Sequence, residues 1–427
     1  MKEWDTFPSI AKGKGIWLID SKGNKIIDAV GSMWCNVWGH SNPQLMKSIT
    51  NQGKKIQHSS LFNLTNEPVE KLADNLIKIS PGMYKVFFSD NGSSAMEIAI
   101  KMALQYWKNI GESNKTQIAT VENGYHGDTF GAMSVGYVPE FFSKFKKQLF
   151  STIQFPVPNK YRIPKGFTFL DYQNNCLDKI EKRFSKQDNI AAFIMESGAQ
   201  MAGGVIIYPK GFQKKISNLC KKYGILFVLD EIATGFGRLG SMTQYQEQKS
   251  IPDIVAYGKM LTGGYLTMAA TLANKKIYDS FLGEFDDWKH LFHGHTYTGN
   301  PLAAAVANEN FNMYQKNNLI KKIQKTSKVF TDYYQRLLEI DIVGDIRHKG
   351  MLMGIELVSD KNKKTPIHTK KSINKIFFEE GKKQGVYFRT LGNIVMLVPP
   401  LAITEKELNL LLDRTIKTIE AIKTQII

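Results

Sequence analysis

Cysteine is nearly absent from this chain. Cys35, Cys176 and Cys220 are the only three among 427 residues, and none form a Cys-x-x-Cys pair. That scarcity excludes a disulfide framework and points to a reducing compartment. Long apolar runs are missing as well: no stretch reaches the length that spans a bilayer. The opening MKEWDTFPSIAKGKG lacks the apolar region of a secretory leader, so a soluble, cytoplasmic protein with no membrane partner is expected. Acidic residues are few, 39 against 56 Lys and Arg, which leaves a formal net charge of +17. A polyanionic partner would need those cations gathered on one arm or stripe. They are instead scattered through polar stretches such as KKIQKTSK (321–328) and KNKKTPIHTKK (361–371), without zinc-finger spacing or an RNA-binding aromatic signature. They read as solvated surface, and no nucleic-acid partner is expected. Neither internal repeats nor low-complexity linkers divide the chain.

What is present is ordinary globular composition, 43% hydrophobic and 22% charged, on a chain long enough for a large domain with a smaller companion. GIWLIDSKGNKIIDA (15–29) reads as two strands joined by a turn at Ser21–Asn24. A helix is expected from about Pro43. Another runs over 67–79, with Val69, Leu72, Ala73 and Leu76 on its apolar face. The pattern then alternates. MYKVFFSD (83–90), TQIATVEN (116–123), IAAFIMES (190–197) and GILFVLDE (224–231) read as buried strands, with NGSSAMEIAIKMALQYW (91–107) and GFQKKISNLCKKYG (211–224) as helices. Near-continuous apolar strands separated by helices predict an α/β fold with a mostly parallel sheet. Helical stretches beyond about residue 305, with strands MLMGIELV (351–358) and NIVMLVPP (393–400), suggest a small α+β unit.

Open parallel sheets bind ligands at the carboxyl ends of their strands, so the residues just after each strand carry most weight. FFSDNGSSAME sets Gly92 and Ser93 between a strand and a helix, where backbone N–H groups would suit a phosphate. Ser94 and Glu97 have capping-box spacing, so a plain capped helix start is the competing reading. This turn lacks both the G-x-G-x-x-G of a dinucleotide site and the G-K-[S/T] of a P-loop. Asp230 ends a hydrophobic strand, where an unpartnered carboxylate would be expensive to bury. Lys259 follows an apolar run and precedes the Gly263–Gly264 turn, a setting for a desolvated, nucleophilic amine. Tyr125, in NGYHGDTFGAMS (123–134), could cover a flat ring. A phosphate cradle, an acid and a sequestered lysine together describe a pyridoxal 5'-phosphate site.

The combination of GSSAMEIAIKMALQYW, NGYHGDTFGAMSVG, DEIATGFGR, GKMLTGG and HGHTYTGNPLA resembles the class III pyridoxal-phosphate aminotransferases, over nearly the whole chain. The resemblance implies a fold type I transferase, with an N-terminal segment (1–48) packed with the small domain, a large cofactor-binding domain (49–305) and a C-terminal small domain (306–427). KMALQYW and YHGDTFGAMSVG are most similar to the branch that aminates 8-amino-7-oxononanoate to 7,8-diaminononanoate in biotin biosynthesis. Carried over residue by residue, the likeness implies that Gly92 and Ser93 bind the cofactor phosphate and Tyr125 lies against the ring and substrate. Asp230 would pair with the pyridine nitrogen. Lys259 would hold the cofactor and shuttle the proton, as both cofactor and substrate ligand. Arg389, in GVYFRTLGN, would receive the substrate carboxylate, and Trp34, in GSMWCNVWGH, would line the apolar substrate chain. Gly294 would line the substrate site. Thr296, with His295 beside it, would reach the cofactor phosphate of a neighbouring subunit in a homodimer.

Several positions depart from that pattern. The usual Trp-x-x-[Tyr/Phe]-Thr element survives only as Trp4–Phe7, the usual Trp-Trp pair as Met33–Trp34, and Glu-Pro-x-x-Gln as ESGAQ (196–200) with Ser197 for proline. Met396 stands where some members have tyrosine. HGHTYTGN (293–300) is similar to a branch that takes its amino group from lysine, whereas S-adenosylmethionine users commonly read HGPTFMGN, so the donor stays open with a lean to lysine. Three rival readings remain. One is a class III enzyme acting on an ω-amino acid such as 4-aminobutyrate or ornithine. Another is a non-catalytic regulatory protein that kept the cofactor fold. The third is a metal site on His293 and His295, which lacks the further ligand that catalytic zinc needs, so no metal is expected.

Overall fold

The computed structural model describes Trp4, Phe7–Thr369 and Lys371–Ile426, with side chains described as far as residue 423. Asp5 and Thr6 of the Trp4–Phe7 element therefore lie outside the described residues. The chain divides into two compact units, one comprising residues 48–236 and 241–311, the other residues 1–47, 237–240 and 312–427.

In the first unit, each expected apolar run forms a strand of a single seven-stranded sheet. Across it the order is Lys85–Ser89, Ala269–Ala273, Ile254–Tyr257, Leu226–Asp230, Ile190–Glu196, Gln117–Val121 and Ile153–Phe155. Four neighbouring pairs are parallel, and only Ala269–Ala273 runs antiparallel to its neighbours. The expected mostly parallel sheet is thus present, with one reversed strand that the sequence pattern did not disclose. Side chains alternate between faces along each strand. One face carries Ala192, Ile194, Leu226, Val228, Ile254 and Ala256 against Ala95, Met96, Ala99 and Ala103 of the helix Gly92–Asn109. Small residues on the helix let it lie close to the sheet, and the Trp107 indole donates to the Ala191 carbonyl at 2.8 Å. The other face carries Phe193 and Phe227, with Phe184 of the helix Phe169–Phe184 edge-on to Phe193.

The helix start differs from the expected capping box. Asn91 is the N-cap, its side chain accepting from Ser94 N at 3.0 Å, so Ser94 already sits inside the first turn. Glu97 accepts instead from the Thr129 hydroxyl at 2.5 Å and from Ala132 N at 3.1 Å. An Asn one turn upstream caps as well as Ser does, and spacing alone does not rank them. The helix Glu67–Ile79 matches its expected span, and Val69, Leu72 and Leu76 are buried.

The second unit holds two small sheets. Ile10–Lys14, Trp17–Asp20 and Lys25–Asp28 form antiparallel neighbours, and Val386–Tyr387 adds in parallel to the third. The other sheet runs Val343–Lys349, Leu352–Asp360, Ile394–Leu397 and Arg389–Leu391, all antiparallel. Helices Ile373–Lys383 and Glu405–Ile426 belong to the same unit.

Leu72 is fully buried. Leu72→Ala should therefore lower stability by about 2–5 kcal/mol, read as a lowered denaturation midpoint with secondary structure retained.

Candidate active site

The carboxyl ends of the parallel strands converge on one set of loops. Lys85–Ser89 leads into Gly92 and Ser93, Gln117–Val121 into Tyr125 and His126, and Leu226–Asp230 ends on the acid. Ile254–Tyr257 leads into Lys259. In the register of adjacent strands, Asp230 faces Glu196 on one side and Ala256 on the other.

Asp230 is almost completely buried. Its Oδ2 lies 2.8 Å from His126 Nδ1, and its Oδ1 accepts from Ile232 N at 2.8 Å. Hydrogen bonds to a charged group contribute about 1.5–3 kcal/mol each, which offsets much of the cost of removing a carboxylate from water. Each oxygen keeps a lone pair for a further donor. His126 Nε2 is buried and has no partner among the described residues, so the imidazole's one firm contact is the acid. Two more carboxyls surround the pair. Glu196 accepts from Met201 N at 2.9 Å and Tyr125 N at 3.3 Å, and burial pushes it up to about 7. Glu231 accepts from Gln244 N at 2.8 Å and Tyr245 N at 2.6 Å, and burial likewise raises it to about 7.

Glycines let these loops close on one another. A Cβ at Gly92 would come within 2.9 Å of Ile232 Cγ2, and one at Gly258 within 3.1 Å of the same atom. Ile232, which also donates its N–H to Asp230, thereby joins the Gly92 turn, the acid and the turn before Lys259 in one contact. At Gly127 (φ +128) a Cβ would meet Ser93 Oγ at 2.0 Å, so only glycine lets Asp128 N donate to that oxygen at 3.0 Å. Ser93 Oγ accepts there and keeps its own proton to donate. Among the described residues, the N–H groups of Gly92 and Ser93 have no protein acceptor, as expected at the start of an 18-residue helix. Lys259 is half-buried and holds φ +42, a left-handed value uncommon for a residue other than glycine.

Tyr125 stacks beside Phe142 with centroids 6.1 Å apart, and its hydroxyl donates to Asp128 Oδ1 at 3.1 Å. His293 and His295 do approach each other, Nε2 to Nε2 at 3.3 Å. The atom on the far side of His293 is Lys101 Nζ, 3.1 Å from Nδ1, and desolvation followed by that cation lowers the His293 pKa. No group of three metal-ligating side chains exists among the described residues. A Cβ at Gly294 would meet the Phe62 ring at 2.9 Å, and Thr296 is exposed.

Trp34 and Arg389 belong to the other unit. Trp34 is buried, and the half-buried Arg389 turns its guanidinium Nη1 to Met33 Sδ. Met396 is the cross-strand partner of Arg389. In the same unit Arg238 is fully buried. It donates from Nη1 to the carbonyls of Met351 and Pro399, and burial lowers its pKa to about 10.

Sequence reasoning missed His126, Glu196, Ile232 and Arg238. His126 was within reach, since it adjoins Tyr125 in a quoted motif. Glu196, Ile232 and Arg238 also stand in the quoted ESGAQ and DEIATGFGR stretches, but the contacts that matter are with residues the fold brings beside them from elsewhere in the chain. Ser197 shows a departure acquiring structural meaning. Its N–H donates to the Asp230 carbonyl at 2.9 Å, a bond that the family's usual proline could not make.

The chain matches the Aminotransferase class-III family over residues 2–419. It is 44% identical over 403 residues to the adenosylmethionine-8-amino-7-oxononanoate aminotransferase of Staphylococcus aureus, covering 93% of this chain and 88% of that one. It is 40% identical to the enzyme of the same name from Geobacter sulfurreducens, covering 99% and 94%. Among solved structures it superposes on the enzyme of that name from Methanocaldococcus jannaschii with TM-score 0.91 and 40% identity, covering 98% and 94%. It superposes on an omega transaminase of Pseudomonas jessenii in complex with PMP with TM-score 0.94 and 29% identity, covering 98% and 94%.

For Glu196 the folded pKa of about 7 lies above the ordinary 4.5. The native state then holds more protons than the unfolded chain between those values, and stability from this group falls as pH rises through them. Glu196→Gln should therefore gain on the wild type in melting temperature between pH ~5 and ~7.5, measured by calorimetry at several pH values.

Proposed function

The chain belongs to the class III aminotransferases, enzymes dependent on pyridoxal 5'-phosphate, and we propose that it converts 8-amino-7-oxononanoate to 7,8-diaminononanoate, a step of biotin biosynthesis. The observation that carries the chemistry is the buried Asp230, held by His126 and Ile232 on the strand beside the one that leads into Lys259. Near-full-length similarity to relatives named for that acceptor supports the substrate.

The residues fit the cofactor. Free N–H groups at Gly92 and Ser93 and the Ser93 hydroxyl suit a phosphate, and the open lone pairs of Asp230 suit a protonated ring nitrogen. When bound, the cofactor supplies an aldehyde that carries the amino group between donor and acceptor, and a ring that draws electron density. Asp230 keeps the proton on the ring nitrogen, and His126 holds Asp230 in the orientation that does so. Lys259 Nζ would hold the cofactor and would move the proton at the substrate carbon that bears the amino group. Tyr125 covers the ring and touches substrate. Arg389 receives the acceptor's carboxylate, a task for which a planar two-pronged donor is suited, and Trp34 lies along its apolar chain. Gly294 leaves room for substrate. Thr296 and His295 act in trans, on the cofactor phosphate of a second copy in a homodimer, and the enzyme works in the cytoplasm.

Two amino donors compete. HGHTYTGN favours lysine, whereas the names of the relatives favour adenosylmethionine. The likeness to omega transaminases supports a second reading, an enzyme acting on a different ω-amino compound.

Purified protein should be yellow, lose its colour with borohydride, and be colourless as Lys259→Ala. Wild type that stays colourless after incubation with pyridoxal phosphate contradicts the enzyme reading. Incubation of holoenzyme with 8-amino-7-oxononanoate and either lysine or S-adenosylmethionine tests acceptor and donor together. Product from lysine supports the branch suggested by His295, and product from S-adenosylmethionine alone rejects it. With neither donor giving diamine, while 4-aminobutyrate or ornithine is consumed, the second reading holds.

A further inference from the structure

Four consecutive residues, Gly31, Ser32, Met33 and Trp34, hold φ values of +52, +46, +71 and +73. This is a full turn of left-handed helix, and three of its residues carry side chains. L-residues visit that region singly and seldom in succession, so surrounding contacts must impose it.

Those contacts centre on Asp28, which is wholly buried. The Ser32 hydroxyl donates to Asp28 Oδ2 at 2.7 Å, His40 Nε2 lies 3.0 Å from the same oxygen, and Val30 N donates to Oδ1 at 3.3 Å. Asp28 is itself fixed as the last residue of its strand, in register with Tyr387. A Cβ at Gly31 would meet the Val398 carbonyl at 2.8 Å, and Val398 N donates to Ala29 O at 2.7 Å. The turn is thus pinned to both segments that flank Arg389. One is Val386–Tyr387, two residues upstream of it, and the other follows Ile394–Leu397, whose Met396 pairs across from it. Met33 is about half exposed, and its sulfur is the atom that the Arg389 guanidinium meets. No carboxylate among the described residues pairs with Arg389. A thioether is a weak, neutral acceptor, strong enough to orient a guanidinium and weak enough to yield to a carboxylate.

We propose that Met33 is a specificity-determining residue that orients Arg389 for the substrate carboxylate, and that Asp28, Ser32 and His40 are positioning residues that hold Met33 on the left-handed turn. This rests on the reading of Arg389 as the carboxylate receptor.

The test compares KM and kcat for the acceptor carboxylate and for its carboxamide analogue in holoenzyme variants. Arg389→Lys examines the underlying reading. Met33→Leu keeps the volume and removes the acceptor, Ser32→Ala removes one tether, and Asp28→Ala removes the clamp. The cofactor absorption band and melting temperature report whether each variant is folded. Met33→Leu and Ser32→Ala should raise KM for the carboxylate about 3- to 10-fold, with a smaller change in kcat and none in KM for the carboxamide. Asp28→Asn should retain more of the wild-type KM than Asp28→Ala. If Arg389→Lys leaves the carboxylate KM unchanged, the receptor reading fails and this inference with it. If Arg389→Lys raises KM while Met33→Leu and Ser32→Ala both stay within about twofold, the receptor stands and this inference is overturned. Equal KM increases for carboxylate and carboxamide also overturn it.

Discussion

The bond between Asp230 and His126 is the constraint around which the first unit is arranged. A carboxylate at the end of a central parallel strand has almost no water to solvate it, so fixed protein donors must take that role. His126 and Ile232 N supply them, one to each oxygen. The loop carrying His126 has to return over the sheet to reach the acid, and the bare backbone at Gly127 lets it close against Ser93. Placing one acid thereby also places the aromatic Tyr125 and the Gly92–Ser93 turn.

Packing around Ile232 performs the second part of that arrangement. Its side chain fills the space that Gly92 and Gly258 leave, so the turn before the long helix and the turn before Lys259 share one apolar contact. Two left-handed stretches bear on the candidate residues. Lys259 holds a left-handed backbone, and the other unit sets three side-chain-bearing residues in succession in that region beside Arg389. Each such residue costs roughly 1–2 kcal/mol, a cost that the rest of the fold must over-determine. Three buried carboxyls, Glu196, Asp230 and Glu231, add an electrostatic load, and burial raises Glu196 and Glu231 to about 7.

Much of this was legible in the residues. The strands ending at Ser89, Val121, Glu196 and Asp230 announce themselves by near-continuous apolar runs, and Lys259 stands out by following another. Periodicity located the helix Glu67–Ile79 to the residue. It could not distinguish Asn91 from Ser94 as the cap, because both can accept the same kind of bond and only the chain's path decides. The reversed strand Ala269–Ala273 was invisible for a related reason: a buried run of small apolar residues looks alike in either direction. His126 and Ile232 matter through neighbours more than a hundred residues away and the two glycine turns, and no local spacing encodes that. HGHTYTGN invites a metal reading, which the sequence already sets aside for want of a further ligand; in the structure Lys101 Nζ lies 3.1 Å from His293 Nδ1.

On the proposed reading Asp230, oriented by His126, would keep a proton on the ring nitrogen of the cofactor. The nitrogen chemical shift of holoenzyme loaded with ring-15N pyridoxal phosphate reads that proton directly. The ring nitrogen should be protonated in the wild type well above the pH at which the free cofactor loses that proton, and unprotonated in Asp230→Ala. An unprotonated nitrogen in the wild type, or the same shift in both proteins, would contradict it.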